Sequence, residues 1–394
     1  MKQDNQPNKS VVYFAESRTR VWHYDYSVPA KLQELIARID LSRYIKPHEY
    51  VAIKTHLGSP GCFRVVRPNF LRIIADAIRD VGGKPFVTDS VRMMGWDYLD
   101  NANRLGINHC SLGVPVVLAD GLYGRDGVVV DAGPLLGKIT VASAIHDAPA
   151  MVVVTHCKGH QQSGYAGAMK NLAMGAICPR DRAGTMRYTR GRLHALEQKS
   201  LTWNESACIL CGNCEAICPL EAIRIVNKKV ERDPKKCWLC LRCVRVCPTG
   251  AFVSTMRQEE FELGLAESVR AVLKTFDKGK VVYFNFVMDV QPECDCMPVA
   301  DNAIVADQGI LVSDDIVAID QASYDLIRYA EPLPQSAAAD RKLKKGDDLL
   351  ARINSAAQPQ ILIDKCARYR LGTKRYRRVE IRRKRPPRAS SKSP

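Results

Sequence analysis

Two cysteine-rich runs in the middle of the chain constrain its fold more than any other feature. Each run has the pattern C-x-x-C-x-x-C-x-x-x-C-P. The cysteines are Cys208, Cys211, Cys214 and Cys218 in the first run, and Cys237, Cys240, Cys243 and Cys247 in the second. A cysteine at every third position lets a short loop present three sulfurs to one site. The proline after each run stops the helical turn from continuing.

This spacing is typical of proteins that bind two [4Fe–4S] clusters, in which the fourth cysteine of each run binds the other cluster. We therefore predict that one cluster is bound by Cys208, Cys211, Cys214 and Cys247, and the other by Cys237, Cys240, Cys243 and Cys218. Zinc sites or disulfides are the alternatives. Tetrahedral zinc sites usually use two cysteine pairs per metal, so two identical quartets favour iron–sulfur clusters.

The other cysteines indicate a reducing compartment. Seven of the 15 cysteines lie outside the two runs, and their odd number argues against a disulfide framework. Together with oxygen-sensitive clusters they predict a cytoplasmic protein. The polar N-terminus lacks the apolar stretch of a secretory signal, and no run of apolar residues is long enough to predict a membrane span.

The rest of the chain predicts an α/β fold. Apolar runs at 11–14, 50–54, 85–89, 114–118 and 150–155 predict strands, and helically spaced apolar residues at 31–39 and 69–81 predict helices. Strands that alternate with helices favour a mainly parallel sheet covered on both faces. The pattern resumes after the cysteine runs, with a helix at 261–275, a strand at 280–287 and a helix from Asp320 to residue 330.

These patterns divide the chain into four parts. Residues 1–200 and 257–380 form two parts of one α/β core, and residues 201–256 form an inserted small α+β ferredoxin-like domain with a hairpin at 222–231. Residues 331–348, rich in proline, alanine and charge, are expected to be an exposed connection. Residues 381–394 are expected to be a basic disordered tail.

The tail region carries most of the chain's net charge of +16, since residues 365–394 contain 13 Lys/Arg and one acidic residue. A solvated tail accounts for this composition. Binding to nucleic acid or to another anionic partner is the alternative, although residues 381–394 contain no aromatic side chain to stack on bases.

Polar side chains follow several of the predicted strands, where ligand sites of open α/β sheets lie. The candidates are Lys54, Thr55 and His56, then Asp89 and Ser90, and then the segment 156–160, which contains His156, Lys158 and His160. The glycine-rich segment 158–175 lets backbone amides approach an anion, which His160 and Lys170 can also hold. His160 can alternatively transfer a proton. The spacing favours a functional loop, and an ordinary strand-to-helix turn is the alternative.

A C-x-C pair, Cys294 and Cys296, is the third candidate. Two such thiols can provide soft ligands for a metal or a further cluster, or they can form a redox pair. Two ordinary thiols are the alternative.

Several segments together resemble the DUF362 family in the form fused to a bacterial-type 2[4Fe–4S] ferredoxin module. They are KGH at 158–160, GYAGAMKNLAMG at 164–175, PECDC at 292–296, DQGIL at 307–311 and VAIDQA at 317–322. The resemblance covers residues 11–380 and implies an α/β core with a cluster-bearing insert in a cytoplasmic bacterial or archaeal protein. It suggests site residues at His160, Lys170, Asn171, Cys294, Cys296 and Asp320. The sequence departs from the family at Cys157, where a bulky apolar residue is expected, at Arg187, where histidine is frequent, and in the basic tail.

We therefore expect an iron–sulfur oxidoreductase, or an electron-delivering component of one, whose two [4Fe–4S] clusters serve a site in the α/β core. His160, Lys170, Cys294 and Cys296 are the candidate catalytic residues. The partner is a redox protein or a small-molecule substrate. The alternative is a non-enzymatic, ferredoxin-like electron carrier or cluster scaffold.

Overall fold

The structure is a computed structural model that describes residues 9–92, 95–183, 187–196, 200–218, 221–234, 236–237, 242–255, 258–354 and 357–381. Cys240 and almost all of the predicted basic tail lie outside these residues. Within them, no helix is both long and apolar enough to cross a membrane.

The strands, in chain order, are β1 (Ser10–Glu16), β2 (Tyr50–Lys54), β3 (Lys84–Asp89), β4 (Val116–Leu118), β5 (Gly127–Asp131), β6 (Lys138–Ala142), β7 (Ala150–His156), β8 (Lys158–His160), β9 (Gly164–Ala166), β10 (Ser200–Trp203), β11 (Ile223–Val226), β12 (Lys229–Arg232), β13 (Phe252–Thr255), β14 (Val281–Val287), β15 (Gly309–Ser313) and β16 (Tyr376–Glu380).

The α-helices are α1 (Val28–Ile39), α2 (Pro68–Asp80), α3 (Gly95–Arg104), α4 (His109–Leu112), α5 (Ser143–His146), α6 (Ala168–Gly175), α7 (Arg190–Leu196), α8 (Asn213–Ala216), α9 (Arg242–Val246), α10 (Gln258–Leu273), α11 (Ile316–Arg328), α12 (Ala337–Asp340), α13 (Leu349–Ile353) and α14 (Gln360–Arg368).

A mainly parallel sheet forms the centre of the fold, as predicted. Its order among the described residues is β16-β1-β15-β14-β7-β2-β3-β4. β15 runs antiparallel to both of its neighbours, and the other pairs are parallel. The sheet contains strands from before and after the cysteine-rich insert, so the two flanking parts of the chain form one α/β core.

Both faces of this sheet are buried. Along β7, Met151 and Val153 pack into one apolar cluster, whereas Val152 and Val154 pack into another on the opposite face. Helices α6, α10 and α11 cover the first face, and α1 and α2 cover the second. Burial on both faces explains why the strands are continuous apolar runs rather than alternating ones.

Two predictions for the second part of the core were wrong, one about where a helix begins and one about the exposure of a connection. The helix expected to open at Asp320 begins at Ile316, because the side chain of Asp315 accepts hydrogen bonds from the backbone N–H groups of Val317 and Ala318, both at 2.9 Å. The connection expected to be exposed at 331–348 contains helix α12, in which Ala338 is fully buried.

The cysteine-rich insert forms its own small structure. Its ends pair as an antiparallel ladder of β10 and β13, in which Ser200 faces Thr255. The predicted hairpin is present as β11 and β12. A separate apolar core joins Cys214, Ile223, Val230, Cys243 and Phe252.

Candidate functional site

A cavity of about 760 Å³ lies where β2, β3 and β7 end. The strand order places these three strands side by side, so the residues that follow them face one space. The structure brings the predicted residues Lys54, Asp89, His160, Lys170, Asn171, Cys294 and Cys296 together in the wall of this cavity.

A buried polar network joins the ends of β2 and β3 to helix α6. Lys54 Nζ lies 2.8 Å from Asp89 Oδ1 and donates a hydrogen bond of 2.5 Å to Asn171 Oδ1. Burial lowers the pKa of Lys54, and the Asp89 carboxylate opposes that shift. Tyr98 donates a hydrogen bond of 2.5 Å to Asp89 Oδ2. The network therefore holds one buried cation with matched acceptors.

Gly175 makes this network possible. A Cβ atom at this position would overlap Lys54 Nζ and would lie 2.7 Å from Asp89 Oδ1. The last residue of α6 therefore has no side chain because the ion pair occupies that space.

A second buried network surrounds Asp295. Its carboxylate lies 2.9 Å from His156 Nδ1 and 2.8 Å from Lys158 Nζ, and Gln291 Nε2 donates to it at 3.1 Å. Burial raises the pKa of Asp295, but His156 and Lys158 together hold it below its ordinary value. These contacts anchor the residue between Cys294 and Cys296, so the two thiols are held on a fixed turn. Met297 N closes this turn by donating to Cys294 O at 2.9 Å.

Close approach of two chain segments places this turn beside His160. A Cβ atom at Gly159 would overlap the carbonyl oxygen of Pro292, and Gly159 N donates to Gln291 O at 2.9 Å. Only glycine allows β8 to lie this near the 291–297 segment. As a result, a ring nitrogen of His160 and the sulfurs of Cys294 and Cys296 all lie within 4.8 Å of one another.

The ionisation of Cys296 is shifted by its neighbours. A hydrogen bond from Cys294 and the positive charges of Arg92 and Lys170 lower its pKa to about 6, although burial acts in the opposite direction. This thiol is therefore largely a thiolate at neutral pH, which is the reactive form of cysteine.

Asp320 lies outside the cavity wall and positions part of it. Its carboxylate accepts hydrogen bonds from Ala168 N at 2.8 Å and Met169 N at 2.9 Å, at the start of the helix that carries Lys170. The resemblance suggested Asp320 as a site residue, and the structure gives it a positioning contact.

Sequence reasoning missed two cations in the cavity wall. Arg92 lies just beyond β3, and Arg190 begins α7, where it donates to Val91 O at 2.6 Å and to Met174 O at 3.2 Å. Arg190 follows no strand and belongs to no motif, so no local signal marked it. Arg92 lies three residues after Asp89. A search for polar side chains that extended three residues further beyond the end of β3 would have included it.

A second, small cavity lies in the cysteine-rich insert. Cys208, Cys211, Cys214 and Cys247 all line it, which is the set that the spacing assigned to one cluster. Four thiols around one space match the ligand requirement of a [4Fe–4S] cluster. The residues present therefore fit such a group.

The other predicted set is described only in part, because Cys240 lies outside the described residues. The two runs nevertheless share local structure. Ala222 N donates to Cys218 Sγ and Ala251 N donates to Cys247 Sγ, both at 3.2 Å and both four residues after the last cysteine of a run. Hydrogen bonds to cysteine sulfurs are among the features that set cluster potentials.

One connection of the insert follows a helix in the wall of the large cavity, and the other leads to a helix that packs against α6. Arg190 and Gly191, at the start of α7, line the cavity, and the insert begins at β10 a few residues later. On the other side, β13 leads into α10, whose Ser268 Oγ donates to Ala173 O in α6 at 2.8 Å. Helix α6 carries Lys170 and Asn171.

The fold and site define an α/β protein with a polar cavity at the strand ends and an inserted module in which four cysteines share a small cavity. The chain belongs to the family described as "Domain of unknown function (DUF362)", which it matches over residues 51–325. No curated protein matches it.

Among solved structures, the chain matches the lactate racemase apoprotein from Thermoanaerobacterium thermosaccharolyticum. The two chains are 11% identical, with a TM-score of 0.34. The match covers 73% of this chain and 53% of that one, so the chain spans about half the length of that protein.

Proposed function

We propose that the protein is an iron–sulfur oxidoreductase in which the insert at 201–256 holds two [4Fe–4S] clusters and supplies electrons to the large cavity. The clusters provide one-electron transfer. Cys208, Cys211, Cys214 and Cys247 hold one of them, and Cys218, Cys237, Cys240 and Cys243 hold the other. The main observation behind the proposal is that the four cysteines predicted to bind the first cluster, Cys208, Cys211, Cys214 and Cys247, all line one small cavity.

The placement of the insert supports electron delivery within the chain. Its two ends continue into α7 and α10, and these helices contribute to or pack against the wall of the large cavity. A carrier that served only external partners would not require this connection to a polar cavity.

The cavity itself is suited to a small anionic molecule. Its volume is in the range of small-molecule sites. Its wall contains two carboxylates, Asp89 and Asp295, against five cationic side chains, which are Lys54, Arg92, Lys158, Lys170 and Arg190. The carboxylates pair with Lys54 and Lys158. When the Cys296 thiolate is counted as a third negative charge, the five cations still outnumber the anions of the wall, and this net positive charge favours an anionic molecule.

The test uses reoxidation of the reduced clusters. Reduced protein is mixed anaerobically with the low-molecular-mass fraction of an extract from the native host, and visible absorbance reports cluster oxidation. We expect the wild type to be reoxidised at least 10-fold faster than Lys170→Met or His160→Gln. The control Lys344→Met, on an exposed loop, should match the wild type.

A non-enzymatic carrier predicts a different result. In that case only the protein fraction of the extract reoxidises the clusters, and the Lys170 and His160 variants react as fast as the wild type.

A further inference from the structure

The sulfurs of Cys294 and Cys296 lie together with His160 in the cavity wall. Three donor atoms of this kind within 4.8 Å of one another can hold a metal ion, or the two sulfurs can form a redox pair. Two structural observations distinguish these possibilities.

The first observation is the hydrogen bonding of His160. Its Nδ1 accepts hydrogen bonds from the backbone N–H groups of Gln162 at 3.1 Å and Ser163 at 3.2 Å. Nδ1 is therefore unprotonated, and the ring proton lies on Nε2. A histidine that binds a metal donates its other ring N–H to an acceptor. Two backbone donors at Nδ1 leave no acceptor for such a bond, and binding through Nδ1 would sacrifice both hydrogen bonds.

The second observation is the charge around the sulfurs. The positive charge of Arg92 acts on both Cys294 and Cys296, and the ammonium of Lys170 also acts on Cys296. These cations stabilise a bare thiolate, and they repel an additional metal cation at the same place.

We propose that Cys294 and Cys296 form a dithiol–disulfide couple in the wall of the cavity. The turn that contains both residues supports this chemistry, since Met297 N bonds to Cys294 O and Cys296 N lies 3.4 Å from Cys294 Sγ. A disulfide needs Cα atoms about 4.4–6.8 Å apart, which alternate residues of a turn satisfy.

Reduction of the couple takes up two electrons and one proton. The S–S bond breaks, two electrons enter, and one proton from solvent in the cavity binds Cys294, which leaves Cys296 as the thiolate. The electrons come from two reduced [4Fe–4S] clusters, one from each. This electron source rests on the proposed function, whereas the couple itself does not. Reoxidation occurs by thiol–disulfide exchange with an external disulfide.

The experiment titrates the couple in the full-length protein. Anaerobic protein is equilibrated with mixtures of reduced and oxidised dithiothreitol and, to reach higher potentials, of reduced and oxidised glutathione, and is then quenched in acid, alkylated and digested. Mass spectrometry then measures the peptide that contains both cysteines. We expect a two-electron titration between a doubly alkylated peptide and an unalkylated, internally bridged peptide.

Variants make the result specific. Cys294→Ser and Cys296→Ser should each abolish the bridged peptide, and Cys110→Ser, at an exposed thiol on α4, should leave the titration unchanged. Arg92→Met should move the pH midpoint of Cys296 alkylation upward from about 6. Because alkylation is read directly on the wild type, a variant that fails to fold does not prevent the test.

Two outcomes would contradict the proposal that Cys294 and Cys296 form a dithiol–disulfide couple. One is a peptide that stays doubly alkylated at every ratio. The other is a stoichiometric metal ion, measured after the cluster iron is accounted for, that Cys296→Ser removes. Failure of the proposed function is a separate result, since protein without clusters can still titrate with dithiothreitol.

Discussion

Asp320 shows how a single buried carboxylate can define the geometry of the cavity wall. It is almost completely buried, and it accepts hydrogen bonds from two backbone N–H groups at the start of α6 and from Asn285 Nδ2 at 2.8 Å. Gly167 precedes α6, and a Cβ atom there would overlap Asp320 Oδ1. The carboxylate thus takes the place of a local helix cap.

Replacement of Asp320 by alanine should destabilise the protein by about 2–4 kcal/mol, because three buried donors lose their acceptor. Asp320→Asn keeps one acceptor oxygen and should cost about half as much. Urea denaturation measures both. The control is Asp364→Ala, which removes a half-exposed ion pair with Lys374 and should cost less than about 1 kcal/mol. Equal losses for the alanine variants at 320 and 364 would contradict the capping role.

The sequence predicted part of the site at the residue scale. Lys54, Asp89 and His160 were identifiable because each ends or follows an apolar strand. The partners of these residues were not identifiable, since the contact between Lys54 and Asn171 joins positions 117 residues apart. Asp295 was visible in the C-x-C motif, but its pairing with His156 and Lys158 depends on the approach of β8 to the 291–297 segment.

At the scale of elements, the parallel strands were predictable and the edge of the sheet was not. β2, β3 and β7 are continuous apolar runs, and such runs can be recognised from the local sequence alone. β15 runs antiparallel between β1 and β14, and β16 adds a parallel strand beside β1. The pairings of β1 with β15 and β16 join segments hundreds of residues apart, and only tertiary packing selects them. The β8–β9 hairpin in the glycine-rich segment was also not predicted.

An ion pair connects two strands across β7. Lys280, just before β14, lies 2.8 Å from Glu49, just before β2, and Lys46 N also donates to Glu49 at 2.8 Å. Burial raises the pKa of Glu49. The hydrogen bonds from Lys280 and Lys46 lower this pKa by more than burial raises it, so the folded-state pKa lies below the ordinary value of 4.5. The stabilisation is therefore present above that value and is lost as pH falls through the folded-state pKa.

Glu49→Gln should reduce the free energy of unfolding by about 1 kcal/mol at pH 7. The difference from the wild type should shrink as the pH falls below the ordinary value of 4.5 and through the lower folded-state pKa, because Glu49 then becomes protonated in both states. Urea denaturation over this pH range measures it. The matched control is Glu34→Gln, in an exposed i,i+4 pair with Arg38, for which a few tenths of a kcal/mol are expected. A difference that grows in acid would contradict the assignment.

At the scale of the whole molecule, the insert is a structural unit placed within the α/β core. Its ends meet in the β10–β13 ladder, and its apolar cluster is separate from the two clusters of the core. The cysteine spacing is a local signal, so the sequence predicts an insert at 201–256. It does not predict that α7 lines the cavity or that α10 packs against α6.

Because Ser200 and Thr255 are paired, replacement of residues 200–255 by a short Gly-Ser linker should leave the core folded. We expect soluble protein with a single cooperative unfolding transition, followed by circular dichroism. The variant should retain the Cys294–Cys296 couple and lose all cluster iron. Aggregation or loss of the cooperative transition would show that the insert is an integral part of the core.

The central claim is that the insert binds two [4Fe–4S] clusters, and anaerobic reconstitution followed by iron and sulfide analysis and EPR tests it most directly. The account predicts about eight iron and eight sulfide per chain and two magnetically interacting clusters in the reduced state. Cys247→Ala should lose the cluster bound by Cys208, Cys211 and Cys214, and Cys110→Ala should match the wild type. Stoichiometric zinc, about one iron per chain, or a Cys247→Ala spectrum identical to that of the wild type would contradict it.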